Sequence, residues 1–510
     1  MQLTTLMLIP LVGAIAVFLL PTAKETLAKQ IALAVSILTA VDAIRLVLSL
    51  DNSNGGLQFV EKLDWIPAFG ISWSLGIDGI AGLLIAMATI LVPLIIVAGW
   101  WDAENAGRGS VKGFFALILA LEVCMIGVFA ATDLFLFYVF FEVMLLPVYF
   151  LIGRYGGAQR SYAAMKFLLY SLVGGLFMLA SLIGVYVVSA RTLGQGTFDF
   201  ISLAGLHMAP ETQKLLFLGF FFAFAVKAPM VPFHTWLPDA AAEATPGTST
   251  LLVGVLDKVG TFGMIRYLLP LFPDASHYYA PIIVVLACIS IFYGALLAIG
   301  QTDMMRLIAF SSVSHFGFIV LGIFVFTSQG LAGSSFYMIN HGFSTGALFL
   351  VVGYLAARRG SKKISDFGGV SKVAPVLAGV LLISGLSSLA LPGMSSFVSE
   401  FLVLIGTFSQ NRVAANIATI GIVLAAFYIL WMYQRVATGE PSEEVSSTVS
   451  EINKRELAAI VPILAAIIAL GVFPQAALKF INPAVSEVQK YVSVVDPIPA
   501  VGALTEGIGS

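Results

Sequence analysis

Apolar runs, each long enough to form a membrane-crossing helix, follow one another along almost the whole chain with short polar segments between them. A run of about 20 residues crosses a hydrocarbon core of ~30 Å as one α-helix. The pattern therefore predicts an all-α polytopic membrane protein with fourteen transmembrane helices. In chain order the predicted spans are residues 2–21, 30–50, 78–100, 112–130, 133–152, 163–189, 214–236, 248–269, 280–300, 306–327, 333–357, 374–404, 414–435 and 457–476.

The composition agrees with this class, because 59% of the 510 residues are hydrophobic and only 11% are charged. The first span lacks a basic segment before it and a small-residue cleavage site after it, so we expect it to remain as structure. A formal net charge of −2 offers no basic face to nucleic acid. Both cysteines fall inside predicted spans and no glycine-rich phosphate loop is present, so the sequence predicts neither a cofactor nor a metal site.

Lysine and arginine are distributed unequally between the two sets of loops. The loops after odd-numbered spans carry fifteen of these residues and the opposite loops carry seven. Basic residues near span ends are retained on the cytoplasmic side. The asymmetry predicts that both termini lie on the outer side of the membrane, with the basic "ARRGSKK" and acidic "GEPSEEVSSTVSE" loops inside.

Intramembrane polar groups in spans 5 to 7 recur in spans 10 to 12 at an offset of 173 residues, which pairs Glu142 with His315 and Lys227 with Glu400. Five spans separate the copies, and an odd number inverts the second copy against the first, as in many transporters. A chance match at a freely chosen offset is the alternative. The predicted domains are helices 1–3 (1–111), a first inverted repeat (112–270), a second (271–436), and a cytoplasmic loop, helix 14 and external tail (437–510).

Two predicted spans are interrupted. In span 7, Pro229 and Pro232 lack the amide hydrogens that a continuous helix needs, and in span 12 Pro392 precedes Gly393 among serines. Such backbone is tolerated at membrane depth only where protein or a water-filled cavity satisfies the freed groups. A packing kink would explain a lone proline, but paired breaks beside ionisable residues favour an ion pathway.

Several ionisable residues fall near the middle of predicted spans. Acids and lysines there each cost ~2.5–3.5 kcal/mol, or on the order of 10–14 kcal/mol for four. Static buried ion pairs are one explanation, but acids, lysines and histidines on successive spans beside broken helices favour a proton relay. The candidates are Glu142, Lys227, Lys258, His315, His341 and Glu400, while the roles of Glu122 and His234 stay open. Two histidines on neighbouring spans would also suit a b-type haem, although nothing else in the sequence favours it.

Four segments together carry a family resemblance: "FFEVMLLPVYFLIGRYGG", "VKAPMVPFHTWLPDAAAEATPGTSTLLVGVLDKVGTFGMIRY", "QTDMMRLIAFSSVSHFGFIVLGIF" and "LPGMSSFVSEF". Over nearly its entire length the chain resembles the antiporter-like subunits of respiratory complex I, the proton-translocating NADH:quinone oxidoreductase. The Lys-Ala-Pro-x-x-Pro-x-His-x-Trp-Leu-Pro run is shared with multisubunit cation/proton antiporters. Of the three antiporter-like subunits of complex I, one carries an acid where the other two carry lysine. With Glu400 at this position, the chain resembles that one.

The resemblance implies a role for each candidate. Glu142 and Lys227 would form a charge pair whose separation tunes the proton affinity of the lysine, and Lys258 would link two half-channels. His315 and His341 would carry the proton onward with ordered water to Glu400, the terminal site. Redox chemistry would belong to other subunits, since members of this kind bind no NADH, flavin, cluster or quinone.

The resemblance also implies partners and a location. The chain would contact neighbouring antiporter-like subunits of the complex I membrane arm, the lateral helix of one of them, lipids, protons and channel water. It would be a multi-pass protein of a bacterial inner membrane or an equivalent energy-transducing membrane. A multisubunit sodium/proton antiporter, a membrane-bound hydrogenase or formate-linked complex, and a purely structural arm subunit remain as alternatives.

Overall fold

A computed structural model describes residues 1–496, and these are mostly helical. The first helices are α1 Gln2–Leu19, α2 Glu25–Leu48, α3 Gly79–Ala98, α4 Asp102–Asn105, α5 Val111–Ala130, α6 Leu134–Val143, α7 Leu145–Tyr155, α8 Arg160–Leu193 and α9 Phe200–Ala204. The middle helices are α10 Pro210–Lys227, α11 Trp236–Glu243, α12 Pro246–Leu251, α13 Lys258–Gly263, α14 Leu269–Leu271, α15 Pro273–Ile299, α16 Met304–Phe324 and α17 Ser328–Arg359. The last are α18 Val370–Val373, α19 Pro375–Ser388, α20 Ser395–Gln410, α21 Arg412–Ala437, α22 Glu443–Thr448, α23 Lys454–Val472 and α24 Gln475–Val492.

Eleven helices of the described residues are long and apolar enough to cross a membrane, with α6 and α7 together counted as one. This confirms the prediction of a multi-pass membrane protein. Three further predicted spans have irregular backbone. Two are interrupted, between α10 and α11 and between α19 and α20, and the third contains two π-helical segments, Leu252–Leu256 and Met264–Leu268.

A two-stranded hairpin lies between α2 and α3, so the prediction of a wholly α-helical chain is wrong in this one segment. Strand β1, Gln58–Ile66, pairs antiparallel with β2, Ile71–Ile77. Gly70 occupies the turn with φ at 64°, a conformation that glycine adopts without strain. A search for long apolar runs cannot detect strands this short. The Glu61 carboxylate on β1 accepts the backbone N–H of Leu3 at 2.8 Å, which fixes the start of α1.

The chain beyond the last long helix, predicted to be a tail, forms α24 as far as the structure describes it. Buried residues on one face of α24 include Ala477, Ile481, Ala484 and Val488, so this helix is amphipathic and packs along the bundle. The remainder of the predicted external tail, residues 497–510, lies outside the described residues.

The centre of the fold is formed by α16 and α17. Residues 307–327 and 330–355 are all buried, which places polar side chains on these helices away from lipid. The outer helices instead expose large apolar side chains: Phe18 on α1 and Val423 on α21 are 62% and 66% exposed. This arrangement puts the lipid-facing surface outside and the polar candidates in the middle.

Candidate functional site

Helix α10 ends on Lys227, and the first interruption follows it. Pro229 and Pro232 lie within the interruption, as predicted, and regular helix resumes only at Trp236. Neighbouring side chains satisfy the freed backbone: the Trp236 indole N–H donates to the Val226 carbonyl at 2.9 Å, and the backbone N–H of Val231 donates to the Ser290 hydroxyl at 3.0 Å. The break is therefore held in place by protein contacts.

Lys227 is 1% exposed, and its ammonium has no hydrogen-bond partner within the described part of the chain. The Nζ atom lies 5.1 Å from the ring centroid of Phe141 and 5.6 Å from that of Phe167. Aromatic faces at these distances attract a cation. The lysine is thus held beside rings rather than in a closed ion pair.

Glu142 occupies the end of α6, and its buried Oε1 has no hydrogen-bond partner among residues 1–496. It lies against Gly175 on α8, where a Cβ atom would stand 1.7 Å from Oε1. Any side chain at position 175 would therefore displace the carboxylate. Glu142 and Asp257 are the two carboxylates within electrostatic reach of Lys227.

Lys258 is the first residue of α13, is separated by Asp257 from the π-helical segment Leu252–Leu256, and is fully buried. Its ammonium contacts Nδ1 of His341 at 2.6 Å and also donates to the Val253 carbonyl. The residue predicted to link two half-channels therefore contacts one of the two predicted relay histidines.

A chain of contacts continues from His341 to Glu400. The His341 and His315 rings lie 5.2 Å apart between centroids, and the His315 and Tyr337 rings 5.9 Å apart. The Tyr337 hydroxyl donates to Oε1 of Glu400, which is 3% exposed. Asn340 holds the same segment by donating to the Ser399 hydroxyl at 2.6 Å.

Lys227 and Glu400 lie differently with respect to their breaks. Lys227 is the last residue before the first interruption, whereas Glu400 lies five residues after Ser395, where helix resumes beyond the second. A single offset of 173 residues therefore aligns the two charges but not the two interruptions.

Two further candidates lie apart from this series. Glu122 on α5 is fully buried, with neither carboxylate oxygen hydrogen-bonded in the part of the chain that is described. His234 lies within the first interruption, 3% exposed, with its ring 5.1 Å from that of Tyr293.

Three residues of the site were missed by sequence reasoning. Asp257 is fully buried beside Lys258, and an acid in the middle of predicted span 8 was a signal that the sequence did contain. Tyr337 and Gly175 carried no comparable signal, because tyrosines and glycines are frequent in membrane helices.

A polar cavity of about 680 Å³ opens where the basic loops collect, lined among others by Asp102, Arg108, Glu243, Lys362 and Arg455. Burial raises the pKa of Asp102 to about 6, against the opposing charge of Arg455. The cavity therefore gathers ionisable side chains of both signs near the end of α11.

The chain is similar in sequence and fold to known proteins. Residues 131–427 match the family described as NADH:quinone oxidoreductase/Mrp antiporter, TM. The chain belongs to this family. One relative is NADH-quinone oxidoreductase subunit M of Mycobacterium tuberculosis. It is 50% identical to this chain, over 98% of this chain and 97% of its own length. Subunit M of Rhodobacter capsulatus is 40% identical over 92% of each chain. The predicted likeness to the subunit with an acid at Glu400, called M or chain 4, is confirmed.

Solved structures of the family share the fold. A chain of respiratory complex I from Thermus thermophilus superposes with a TM-score of 0.87 at 30% identity, over 96% of this chain and all of that one. A chain of the Mrp complex from Dietzia sp. superposes with a TM-score of 0.83 at 23% identity, over 96% and 99% of the two chains. The second likeness shows the common fold only.

Proposed function

We propose that the chain is a proton-translocating membrane-arm subunit of an NADH:quinone oxidoreductase. The observation that carries this proposal is the series of buried ionisable side chains that runs from Lys227 through Lys258 to Glu400. An acid or a lysine at bilayer depth costs ~2.5–3.5 kcal/mol, so a series of them indicates a pathway rather than packing.

The first half of the relay consists of Glu142, Lys227 and Lys258. An ionised Glu142 near Lys227 stabilises the ammonium, and withdrawal or neutralisation of that carboxylate leaves a desolvated cation that releases its proton. The open arrangement of Lys227, with no hydrogen-bond partner in the described chain, supports a group that exchanges protons through water. The proton then passes towards Lys258.

The second half begins at the contact between Lys258 and His341. The lysine ammonium donates to Nδ1 of His341, and the opposite ring nitrogen passes a proton towards His315 and Tyr337 with channel water. The Glu400 carboxylate, which accepts a hydrogen bond from the Tyr337 hydroxyl, receives the proton. Each step moves a proton between a donor and an acceptor, and no electron is transferred within this chain.

A haem between the two histidines does not fit this geometry. Nδ1 of His341 is occupied by Lys258, and the two imidazoles contact each other edge to face, at an interplanar angle of 82°. Axial ligands must stand on opposite faces of a porphyrin, and these rings leave no space for one. We propose that the redox groups of the complex reside in other subunits.

The membrane arrangement proposed is that of fourteen transmembrane helices. The eleven long helices and the three irregular spans together give this number. Residues 112–270 and 271–436 would form the two inverted repeats, with 1–111 and 437–510 outside them. Both termini would lie on the outer side of an inner or other energy-transducing membrane, and neighbouring antiporter-like subunits, with the lateral helix of one, would cover part of the exposed surface.

Reporter fusions test the orientation. A fusion after Lys363 is expected to be cytoplasmic, because Arg358, Arg359, Lys362 and Lys363 concentrate positive charge in one loop. A fusion at the C-terminus is expected to be external. Alkaline phosphatase activity measures the outer location and green fluorescence the inner one, and the reverse pattern would reject the topology.

Copurification tests the function itself. A tag on this chain is expected to recover peripheral flavin and iron–sulfur subunits together with NADH:quinone activity. The likeness to an Mrp complex keeps a second candidate, a subunit of a multisubunit sodium/proton antiporter. Recovery of small hydrophobic antiporter subunits without redox subunits would favour that candidate and reject the first.

A further inference from the structure

Asp257 is a buried acid that the proposed relay does not use. Its side chain is fully buried, and neither carboxylate oxygen has a hydrogen-bond partner within residues 1–496. An unpaired carboxylate in such a place costs several kilocalories per mole unless a nearby cation compensates it. The charges around it should therefore reveal its role.

The local backbone places Asp257 between two lysines. A π-helical segment, Leu252–Leu256, ends directly before it, and α13 begins at Lys258 directly after it. Isolated π-helical turns occur frequently at functional sites. Consecutive helical residues point about 100° apart, so Lys258 reaches His341 on α17 while Asp257 faces another direction. Asp257 and its chain neighbour Lys258 are both fully buried, and Lys227, which is 1% exposed, is the second cation within electrostatic reach of the carboxylate.

The carboxylates near the two relay lysines indicate that Asp257 supplies a negative charge to Lys258. Glu142 and Asp257 are the carboxylates within electrostatic reach of Lys227, whereas the carboxylate beside Lys258 is that of Asp257, its neighbour in the chain. Within residues 1–496, Asp257 is the acid beside Lys258, and the other ionisable neighbours are the rings of His341 and, beyond it, His315. Each relay lysine thus has its own carboxylate.

We propose that Asp257 is the counter-ion of Lys258 and a positioning residue of the relay. Its negative charge keeps the proton on Lys258 until His341 accepts it, and the same charge couples the protonation of Lys258 to that of Lys227. The inference rests on the proposed function, because it assigns Asp257 a part in that relay.

Two substitutions at Asp257 separate charge from packing. Asp257→Asn keeps the shape and removes the charge, whereas Asp257→Glu keeps the charge and adds a methylene to a packed site. A nearby charge in a low-dielectric site changes a proton equilibrium by on the order of tenfold or more. We expect Asn to lower coupled NADH oxidation and proton translocation about tenfold, and Glu to retain the larger part of both. The control is Glu211→Gln, which removes a carboxylate that is 85% exposed at the start of α10.

The measurements use the assembled complex in reconstituted vesicles, with assembly checked on native gels. Equal losses in Asn and Glu, or a larger loss in Glu, would assign Asp257 to packing and overturn the proposal. If Asn prevents assembly, the neutral pair Asp257→Asn with Lys258→Gln should restore it, and failure of the pair to assemble would also overturn the proposal.

A single Lys258→Gln variant distinguishes this inference from the proposed function. If Lys258→Gln stalls translocation while Asp257→Asn is normal, the counter-ion role alone fails. If Lys258→Gln translocates normally, the relay itself fails. If the double variant is no slower than Lys258→Gln alone, Asp257 acts through Lys258 as proposed, and an additional loss in the double variant would contradict this.

Discussion

Glu400→Gln is expected to abolish proton translocation through this subunit in an assembled complex. Glutamine keeps the size of the side chain and a group that accepts the Tyr337 hydrogen bond, but it cannot take up and release a proton. Because the proposed pathway ends at this carboxylate, coupled turnover should stall rather than continue at a lower rate. The measurement is proton uptake per NADH in reconstituted vesicles.

Graded substitutions at position 400 make this prediction more specific. Glu400→Asp should retain part of the translocation, since the acid remains but stands one methylene further from Tyr337. Glu400→Lys, the residue that the family resemblance implies for the related subunits, should be milder than Gln because it still exchanges a proton. Glu487→Gln, an exposed acid on α24, is the control. Wild-type stoichiometry in an assembled Gln variant would falsify the assignment of Glu400 as the terminal site.

Lys227→Ala and Glu142→Gln are expected to lower quinone-linked NADH oxidation and proton translocation together. Positioned acid–base groups contribute about a hundredfold to proton transfer, and we expect losses approaching that size. Lys227→Arg should rescue only part of the activity, because guanidinium stays protonated and cannot complete a cycle. Turnover and proton release are measured on the same vesicles.

Lys214→Ala is a matched control on the same helix. Lys214 lies near the start of α10, where it pairs with Glu211 at 2.8 Å, far along the chain from the break. We expect the complex that carries Lys214→Ala to assemble and to translocate protons normally. If either Lys227→Ala or Glu142→Gln assembles and translocates at a near wild-type rate, the pair has no essential role in the relay.

The sequence predicted the parts of the site that carry unusual residues for a membrane helix. Lysine, glutamate and paired prolines are rare at bilayer depth, so Lys227, Lys258, Glu400 and the break at Pro229 could be located from the sequence alone. The structure then brought Lys258 into contact with His341, as a relay requires.

Other parts depend on packing between segments far apart in the chain. Tyr337 becomes part of the site only because α17 lies against α20, and Gly175 matters only because Glu142 lies against it. No local sequence pattern reveals either of these two contacts. The hairpin β1–β2 was not predicted for a different reason. Its strands of nine and seven residues are shorter than any membrane span.

The hydrogen bonds that hold the first interruption in place have a consequence for the speed of turnover. Trp236 and Ser290 occupy backbone groups on either side of Lys227, so the backbone there is a rigid frame and not a hinge. Changes in the proton affinity of Lys227 must then arise from neighbouring side chains and water. Domain hinges need microseconds to milliseconds, and a backbone held in this way does not undergo such a step. Within this subunit, proton transfer should therefore wait on events elsewhere in the complex rather than on motion of its own backbone.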